Sequence, residues 1–391
     1  MGHTNEYMTK NHEISVVIPC LNEEKGIGFC LEEAMGVIRK RNLSAEIVVV
    51  DNNSTDKTAE IVSEYQKKFA DLVLVNEERP GYGAAYLKGL AVASGKYLIM
   101  ADGDGTYDFS LITDFVSKLK SGFDLVVGNR FATKDVNLVM PWLHRRIGNP
   151  FLSFLVRAFF GAKIKDVHCG MRAITRRALE AVDLNTTGME FASEMVIKVA
   201  RRGLKIGEVD ISYRKRFGDS KLESFSDGWR HLRFILLYSP LLLFLLPGLI
   251  ILGLGVIGLV GFYFGSLNLF GMNFYVHPMF VFSVMILLGY QLVAFSAFSK
   301  IYAISHLGDH NRLIESLFRK ITVERASILG MTFFLLGLLI YLFIFVKWFS
   351  SGFGELDEIK NSIVALTLLV VGVQTFFSAF MLSTLGIKSK Q

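Results

Sequence analysis

The sequence has 391 residues, of which 51% are hydrophobic and 20% are charged, and it carries a formal net charge of +6. This length and hydrophobic content exclude a single minimal domain and a wholly soluble protein, so two parts of different character are expected. The positive charge does not indicate nucleic acid, because basic residues cluster just before the first long apolar run, in RRGLKIGEV, YRKRFGDSK and WRHLR. A cluster in that position favours anionic lipid headgroups instead.

Residues 1–13 form a polar N-terminal segment that lacks the apolar stretch of a secretory signal. We therefore expect the domain that follows to stay in the cytosol. The three cysteines, Cys20, Cys30 and Cys169, match neither a disulfide framework nor a zinc site. We interpret them as reduced thiols.

Residues 14–225 are predicted to form an α/β domain. Short β-branched runs alternate with helical ones, and the predicted strands are ISVVIP, AEIVVV, LVLV, KYLIMA and DLVVG. Continuous apolar strands of this kind are typical of a parallel sheet covered by helices on both faces. The ligands of such sheets bind beyond the carboxyl ends of the strands.

Polar residues directly follow the first two predicted strands. Pro19, Asn22 and Glu23 lie at the end of the first strand, and Asp51 and Asn53 lie at the end of the second. Both strand ends are expected to border one cleft. A carboxylate such as Asp51 suits hydrogen bonding to a base or a ribose, although on its own it is equally typical of a helix-capping acid.

An apolar strand runs directly into Asp102 and Asp104 in the segment LIMADGDGTYD. Two carboxylates beside glycines can hold Mg²⁺ or Mn²⁺ against a diphosphate, because these hard cations prefer oxygen ligands and glycine permits close backbone approach. Asp-Gly pairs are also ordinary turn formers, so the DxD spacing alone is weak evidence. The segment lies at a strand end opposite Asp51, and this position favours a metal site formed by Asp102 and Asp104.

Two segments are predicted to lie at a membrane surface. In PWLHRRIGNPFLSFLVRAFFG, Arg145 and Arg146 lie near Trp142 and precede an apolar run that is too short to span a bilayer. We interpret residues 142–160 as an interfacial helix, and a core helix of the domain is the alternative. Residues 226–240 are expected to form a second, juxtamembrane segment, although anchoring alone would require the same basic and aromatic residues.

Residues 241–391 predict a membrane domain of about four transmembrane helices. The apolar stretches each approach the ~20 residues that cross the hydrocarbon core, and they cover residues 241–264, 279–298, 328–349 and 363–385. The loop between the second and third stretches is basic and includes Arg312, Arg319 and Lys320, unlike the other two connections. The positive-inside rule therefore predicts a multi-pass cell-membrane protein whose α/β domain is cytoplasmic.

The motifs IPCLNEE, VVVDNNSTD, RPGYGAAYLKG and ADGDG occur in this order. With them, the first ~130 residues resemble the GT-A (Rossmann-like) nucleotide-sugar domain of family 2 glycosyltransferases. Further motifs, GNR, HCGMRA, TTGMEFASEM and RKRFGDSKL, resemble polyprenyl-phosphate glycosyltransferases of the dolichol-phosphate mannose and glucose synthase type. The resemblance implies inverting, metal-dependent transfer of a hexose from a nucleotide-sugar to a polyprenyl (dolichyl or undecaprenyl) phosphate. UDP-glucose is the favoured donor and GDP-mannose is the second.

The same resemblance implies roles for individual residues. The nucleotide-sugar site is predicted to contain Pro19, Asn22, Glu23, Asp51, Asn53, Asp102, Asp104, Arg214 or Arg216, Ser220 and Lys221. The lipid phosphate is expected to contact Arg130, Arg145 and Arg146. The sequences VDNNSTD and DGDGTYD depart from the commoner VDDGSTD and DADLQ types, which leaves the base and the sugar open.

Three residues are predicted to be catalytic: Asp104 through the metal, Arg130 through a phosphate, and Asp166. Asp166 is a candidate for orienting the acceptor or a neighbouring arginine, and a turn or helix-capping role is an equal alternative. Glu190 and Glu194 fall on one face of a predicted helix, where they either line the cleft or pair with Arg or Lys.

Two other functions are alternatives to this glycosyltransferase reaction. A processive polysaccharide synthase also joins this fold to membrane helices, but the sequence lacks its TED-like and QxxRW-like motifs. A non-catalytic membrane partner that binds nucleotide-sugars is disfavoured by the intact DGDG and by Arg130. No nucleic-acid partner is expected, and the formation of a homo-oligomer is left open.

Overall fold

The computed structural model describes residues 12–133, 136–218, 224–239, 241–269, 272–306 and 322–386. The chain folds into two units, Met1–Ile235 and Leu236–Gln391. The residues of the sequence prediction that lie outside the described part are most of the segment 1–13, Ser220, Lys221, Arg312, Arg319 and Lys320.

The first unit is built on a seven-stranded sheet of order β3-β2-β1-β4-β6-β5-β7. The strands are β1 (Ile14–Cys20), β2 (Ala45–Asp51), β3 (Leu72–Asn76), β4 (Tyr97–Met100), β5 (Leu125–Asn129), β6 (Arg172–Thr175) and β7 (Ile206–Asp210). All five predicted strands are present, and β1 pairs in parallel with β2 and β4. The prediction of a parallel sheet was wrong in one respect, because β6 runs antiparallel to both β4 and β5.

Strands β6 and β7 were not predicted because neither has a continuous apolar run. Strand β6 is only RAIT, and β7 is IGEVD at the edge of the sheet, where buried and exposed residues alternate. The antiparallel register places Arg172 opposite Met100. The loop that precedes β6 therefore lies beside the carboxyl end of β4, where Asp102 and Asp104 follow.

Helices cover this sheet and bury nearly all of the strand interiors. They are α1 (Ile27–Lys40), α2 (Thr58–Gln66), α3 (Tyr82–Val92), α4 (Ile112–Lys120), α5 (Val136–Val139), α6 (Asn149–Phe160), α7 (Arg176–Ala181), α8 (Phe191–Arg201) and α9 (Ser224–Leu237). Helix α3 lies against β1 and β2 so closely that a Cβ atom on Gly89 would be 2.4 Å from Val17 Cγ1. This contact fixes the C-terminal half of α3, whose first residues border the site described below.

The segment 142–160 is largely helical, with a wide π turn at His144–Gly148 that leads into α6. The segment is amphipathic: Leu152, Leu155 and Val156 are buried. Its large exposed apolar residues are Trp142, Leu143, Ile147, Phe151 and Phe154. One face therefore packs on the domain, as the core-helix alternative requires, while the other face is apolar and uncovered within this unit.

Among its described residues, the second unit contains four long helices, α10 (Leu246–Phe264), α11 (His277–His306), α12 (Val323–Ser350) and α13 (Ile359–Gly386), and a short hairpin of β8 (Leu267–Leu269) and β9 (Met272–Phe274). Four spans are long and apolar enough to cross a membrane: Leu243–Phe264, His277–Tyr302, Val323–Ser350 and Ile359–Leu385. The prediction of four transmembrane helices is confirmed. The first span begins two residues later than the predicted 241–264, and the other three extend beyond the apolar runs read from the sequence.

Small and polar residues join these four helices. A Cβ atom on Gly255 of α10 would lie 2.8 Å from a backbone nitrogen of α11, so the two helices approach closely. Between α11 and α13, the Ser283 and Thr367 hydroxyls are 2.6 Å apart, and Gln374 donates to Gln291 at 3.1 Å. Close packing and interhelical hydrogen bonds are the interactions that hold helices together in lipid.

Candidate active site

A cavity of about 310 Å³ lies beyond the carboxyl ends of β1 and β4. Six predicted residues line it: Pro19, Glu23, Asp102, Asp104, Arg130 and Arg216. The predicted residues that the structure describes but that do not line it are Asn22, Asp51, Asn53, Arg145, Arg146, Asp166 and Arg214. The motifs at the ends of β1 and β4 thus converge on one site.

Among the described residues, Asp102 accepts hydrogen bonds through one of its two carboxylate oxygens. The hydroxyls of Tyr82 and Tyr86 both donate to Oδ1 at 3.1 Å. A Cβ atom at position 170 would lie 2.5 Å from Oδ2, so the absence of a side chain on Gly170 leaves that oxygen open. Burial, followed by the nearby Asp104 carboxylate, raises the pKa of Asp102 to about 6.

Asp104 is held by Thr106, which donates to Oδ1 from its backbone nitrogen at 3.0 Å and from its hydroxyl at 2.6 Å. Its Oδ2 faces Arg216 Nη2 at 3.6 Å, and the same guanidinium donates to Glu23 Oε1 at 3.1 Å. Arg216 Nε is buried and has no hydrogen-bond partner among the described residues. Among the described residues, Asp102 Oδ2 is therefore open to another ligand, and Asp104 Oδ2 has an ion pair with Arg216 but no hydrogen bond, so both oxygens can bind a cation.

Arg130 and Asp166 form a buried bidentate ion pair. Arg130 Nε donates to Asp166 Oδ2 at 2.7 Å, and Nη2 donates to Oδ1 at 2.9 Å. The side chains are 8% and 0% exposed. Of the two roles considered for Asp166, the geometry supports the orientation of a neighbouring arginine. Arg130 in turn lies over the Tyr213 ring, 5.3 Å from its centroid, and faces the cavity.

Asn22, Asp51 and Asn53 brace the ends of β1 and β2. The backbone nitrogen of Thr55 donates to Asn22 Oδ1 at 2.7 Å, and a backbone N–H three residues after Asp51 donates to its carboxylate at 3.3 Å. Asn53 has a φ of 61° and donates to a carbonyl of the β3–α3 loop at 2.8 Å. Contact of these three residues with a nucleoside stays a prediction.

Of the two arginines proposed to close over the diphosphates, only Arg216 reaches the cavity. Arg214 pairs with Glu33 at 2.9 Å and with Asp108 at 3.0 Å. It is thus held among carboxylates outside the cavity. Extended backbone would place residues 214 and 216 on the same side, so the difference comes from their partners: Arg216 reaches Glu23 and Asp104 instead.

A second cavity of about 480 Å³ adjoins the first, since both are lined by Tyr82, Arg130, His168, Met189, Tyr213 and Arg216. Its remaining wall includes the apolar residues Val139, Met140, Leu143 and Leu152 and the basic residue Lys215. Arg145 and Arg146, predicted at the lipid phosphate, do not line it, although the neighbouring His144 does.

A hydrogen-bond chain lies beneath both cavities. His168 Nε2 and Ser193 Oγ are 3.1 Å apart, and Ser193 Oγ is 2.8 Å from His231 Nδ1. Burial lowers the pKa of both histidines, to about 4 for His231 and well below the ordinary value for His168. The pair is therefore neutral at physiological pH.

The two glutamates predicted on one helix face separate in the structure. Glu194 is fully buried, accepts hydrogen bonds from Asn185 and Thr186, and pairs with Lys198 at 2.7 Å. Its role is therefore structural, the second of the alternatives considered. Glu190 precedes α8 and has a buried Oε2 without a hydrogen-bond partner among the described residues.

The residues present fit a divalent cation that also binds a diphosphate. Within the described part of the chain, no group of three or more His, Cys, Asp and Glu side chains could hold a metal ion. Asp102 and Asp104 would supply two carboxylates at most, each through its Oδ2 atom. Magnesium commonly binds in this way, with one or two carboxylates and with substrate phosphates as further ligands.

Sequence reasoning missed three residues that shape the site. Tyr82 is noted in the sequence only within RPGYGAAYLKG. The buried Asn52, which lines the first cavity whereas Asn53 does not, donates to two carbonyls of the β3–α3 loop at 2.8 and 2.7 Å. Arg172, the arginine of HCGMRA, is 2% exposed and hydrogen-bonds only to backbone carbonyls, among them Ala192 O at 2.9 Å. All three residues lie within motifs of the resemblance, RPGYGAAYLKG, VVVDNNSTD and HCGMRA, and this position was the sequence signal that could have identified them.

This mixed sheet, with paired aspartates after β4 and arginines around one cavity, defines a GT-A glycosyltransferase domain. Residues 15–183 match the family described as "Glycosyl transferase family 2". Residues 297–386 match the "Glycosyltransferase family 2 C-terminal transmembrane region". The chain belongs to glycosyltransferase family 2, and the predicted family and fold class are confirmed.

Individual relatives cover one or both units. The chain is 36% identical over 374 residues to the low-salt glycan biosynthesis hexosyltransferase Agl6 of Haloferax volcanii, covering 95% of this chain and 89% of that protein. It is 30% identical over 215 residues to the dolichyl-phosphate beta-glucosyltransferase ALG5D of Trichomonas vaginalis, covering 52% of this chain and 66% of that protein. The crystal structure of glucosyl-3-phosphoglycerate synthase from Mycobacterium tuberculosis with UDP is 22% identical, with a TM-score of 0.48, and covers 58% of this chain and 80% of that chain.

The raised pKa of Asp102 predicts a stability effect with a definite sign. A folded-state pKa of about 6 against an ordinary 3.8 means that the ionised carboxylate destabilises the metal-free protein by about 3 kcal/mol. The isosteric Asp102→Asn keeps an acceptor for both tyrosines and should raise the unfolding temperature above pH 6. This gain should fade as the pH falls from 6 and vanish below the ordinary value of 3.8, where the carboxyl is protonated in both the folded and the unfolded wild type.

Thermal unfolding of the detergent-purified chain with a chelator measures this effect. Glu77→Gln is the control of opposite sign, because hydrogen bonds from Arg79 lower the pKa of Glu77 to about 2. Replacement of the Glu77 carboxylate by an amide removes this charge and should lower the unfolding temperature at neutral pH. A fall for Asp102→Asn at neutral pH, or a rise that does not depend on pH, would contradict the electrostatic account of this site.

Proposed function

We propose that this protein transfers a hexose from a nucleotide-sugar to a polyprenyl phosphate, dolichyl or undecaprenyl, in an inverting and metal-dependent reaction. The observation that carries the proposal is the pair of adjoining cavities that share Arg130 and Arg216. The first is lined by Asp102 and Asp104, and the second has an apolar wall. Relatives named as a hexosyltransferase and as a dolichyl-phosphate glucosyltransferase support the same reaction.

Pro19, Glu23 and the ends of β1 and β4 would receive the nucleotide-sugar in the first cavity. A divalent cation bound at Asp102 and Asp104 would offset the charge that develops on the leaving diphosphate. Arg216 adds a fixed positive charge to the same region. Its buried Nε has no hydrogen-bond partner among the described residues, so it would be able to donate a hydrogen bond to a diphosphate oxygen.

The acceptor phosphate would enter the second cavity beside Arg130, with the first part of the lipid chain against Val139, Met140, Leu143 and Leu152. Asp166 holds the Arg130 guanidinium in place by two hydrogen bonds, so the charge is positioned before the acceptor arrives. A phosphate monoester is already ionised at neutral pH, so its attack needs no strong general base. A single displacement of this kind inverts the anomeric centre.

UDP-glucose is the first proposed donor and GDP-mannose the second. Two similarities support this order. The motif set resembles glucose and mannose synthases, and one relative is named as a dolichyl-phosphate beta-glucosyltransferase. Discrimination between hexoses rests on a few hydrogen bonds to hydroxyl groups. A donor panel is therefore the appropriate assay.

We expect the metal requirement to act through Asp104. Detergent-purified wild type, given radiolabelled UDP- and GDP-sugars, polyprenyl phosphate and Mn²⁺ or Mg²⁺, should form an organic-extractable product from one donor and none with a chelator. Asp104→Ala should lower this rate at least about a hundredfold while the chain stays folded. Asp114→Ala, at an exposed position on α4, is the matched control and should retain activity.

The product distinguishes the alternatives. A lipid that carries one sugar supports the proposed reaction, whereas a polymer would indicate a processive polysaccharide synthase. If wild type transfers no sugar from any donor while nucleotide-sugars still bind, the protein is a non-catalytic binding partner.

We also propose that the exposed apolar face of the segment 142–160 lies on the cytoplasmic surface of the cell membrane, with Arg145 and Arg146 near anionic headgroups. Trp142 is 61% exposed, and Phe151 and Phe154 follow on the helix. A helix with one apolar exposed face and neighbouring arginines is typical of interfacial binding. This location would bring the second cavity to the lipid acceptor.

Fluorescence quenching tests the location of Trp142. In a chain with Trp229 and Trp348 replaced by Phe and reconstituted into vesicles, Trp142 should be quenched more by lipids brominated near the headgroup than by lipids brominated near the chain end. A chain that keeps only Trp348, at the end of α12, is the membrane control. Quenching of Trp348 without quenching of Trp142 would refute the interfacial position.

A further inference from the structure

Tyr82 lies where the two cavities meet, and it lines both of them. It is the first residue of α3, directly after Gly81. Burial and the neighbouring Asp102 carboxylate raise its pKa well above the ordinary value. Tyr82 is therefore a neutral phenol at the boundary between the proposed donor and acceptor sites.

The turn that carries Tyr82 is fixed from two sides. Gly81 N donates to the buried Asn52 side chain at 2.9 Å, and Ala84 N donates to Thr187 O at 3.1 Å. A Cβ atom on Gly83 would lie 2.3 Å from Thr186 O, so the turn packs directly on that backbone. A ring held in this way keeps its position without a ligand, which is the property that a recognition residue needs.

Tyr86 offers an internal comparison with Tyr82. Both hydroxyls donate to the same oxygen, Asp102 Oδ1, at the same distance of 3.1 Å. Tyr86 is 1% exposed, stacks on Phe191 with ring centroids 5.5 Å apart, and lines neither cavity. If the only task of these phenols were to support Asp102, the two would be equivalent.

A phenol that donates its hydrogen to a carboxylate keeps lone pairs on its oxygen, and the carboxylate polarises that oxygen into a better acceptor. The Tyr82 oxygen can therefore accept a hydrogen bond from a hydroxyl group while its own hydrogen stays on Asp102. The ribose and the hexose of a nucleotide-sugar both carry hydroxyl groups beside the diphosphate. Because Tyr82 lies where the first cavity meets the proposed acceptor cavity, and the hexose is the end that meets the acceptor, the hydroxyl group at Tyr82 would belong to the hexose.

We propose that Tyr82 is a specificity residue that accepts a hydrogen bond from one hydroxyl of the transferred hexose, in a chain from the sugar through Tyr82 to Asp102. This inference rests on the proposed function and adds the residue that recognises the sugar. Tyr86 supports the same carboxylate from behind and does not touch the substrate.

Deoxy donors test the contact by a chemical double-mutant cycle. Full-length wild type, Tyr82→Phe and Tyr86→Phe are each assayed for kcat/KM with the transferred nucleotide-hexose and with its monodeoxy analogues. For one hydroxyl, wild type should lose about threefold to tenfold with the deoxy donor, the size of one neutral hydrogen bond. The ratio of kcat/KM for the parent donor to kcat/KM for this deoxy donor should fall to near one in Tyr82→Phe. In Tyr86→Phe the ratio should stay at the wild-type value.

The comparison cancels the effects that a structural role would produce. Both variants remove one donor from Asp102, so loss of support for that carboxylate lowers their overall rates alike. The intrinsic reactivity of each deoxy sugar is the same in all three proteins. Only a direct contact makes the deoxy penalty depend on Tyr82.

Three outcomes are decisive. Loss of the penalty at one hydroxyl in Tyr82→Phe alone supports the contact. Deoxy penalties that match wild type in both variants, or that are absent in wild type, overturn the role of Tyr82 while the transfer reaction stands. If wild type transfers no hexose from any donor, the proposed function fails and this inference fails with it.

Discussion

The site depends on two carboxylates that follow one buried strand and are held close together away from water. Burial, followed by the Asp104 carboxylate, raises the pKa of Asp102, so the ionised pair is unfavourable when no cation is bound. Two tyrosine hydroxyls, the Thr106 backbone and Arg216 compensate part of this charge, and the Oδ2 atom of each aspartate can still bind a cation. An arrangement of this kind favours a cation, and a diphosphate supplies the ligands that the protein lacks.

The antiparallel strand β6 creates the surroundings of that pair. Its register brings the segment before Arg172 beside the end of β4, where Gly170 leaves room for the Asp102 carboxylate. The same segment contains Asp166, whose bidentate pair with Arg130 joins it to the end of β5. Removal of one partner of such a buried pair typically costs about 3–5 kcal/mol, so the arginine that faces both cavities is firmly positioned.

Sequence patterns predicted the five apolar strands, the four membrane helices and the convergence of IPCLNEE, ADGDG and GNR on one site, because period and motif order are local properties. They did not predict β6 or β7, whose short polar-containing runs become strands only through pairing with β4 and β5. They also could not separate Arg214 from Arg216 or Asn52 from Asn53. The outcome for such neighbours depends on which side chain tertiary packing turns toward the cavity.

The central claim is that the aspartate pair and a nucleoside diphosphate bind one divalent cation together. Titration of the full-length protein with Mn²⁺, followed by electron paramagnetic resonance with and without UDP and GDP, measures this directly. The account predicts that one nucleoside diphosphate tightens Mn²⁺ binding and that Mn²⁺ tightens binding of that nucleotide by the same factor, as linkage requires. Mn²⁺ affinity that neither nucleotide alters, or nucleotide binding that a chelator leaves unchanged, would contradict it.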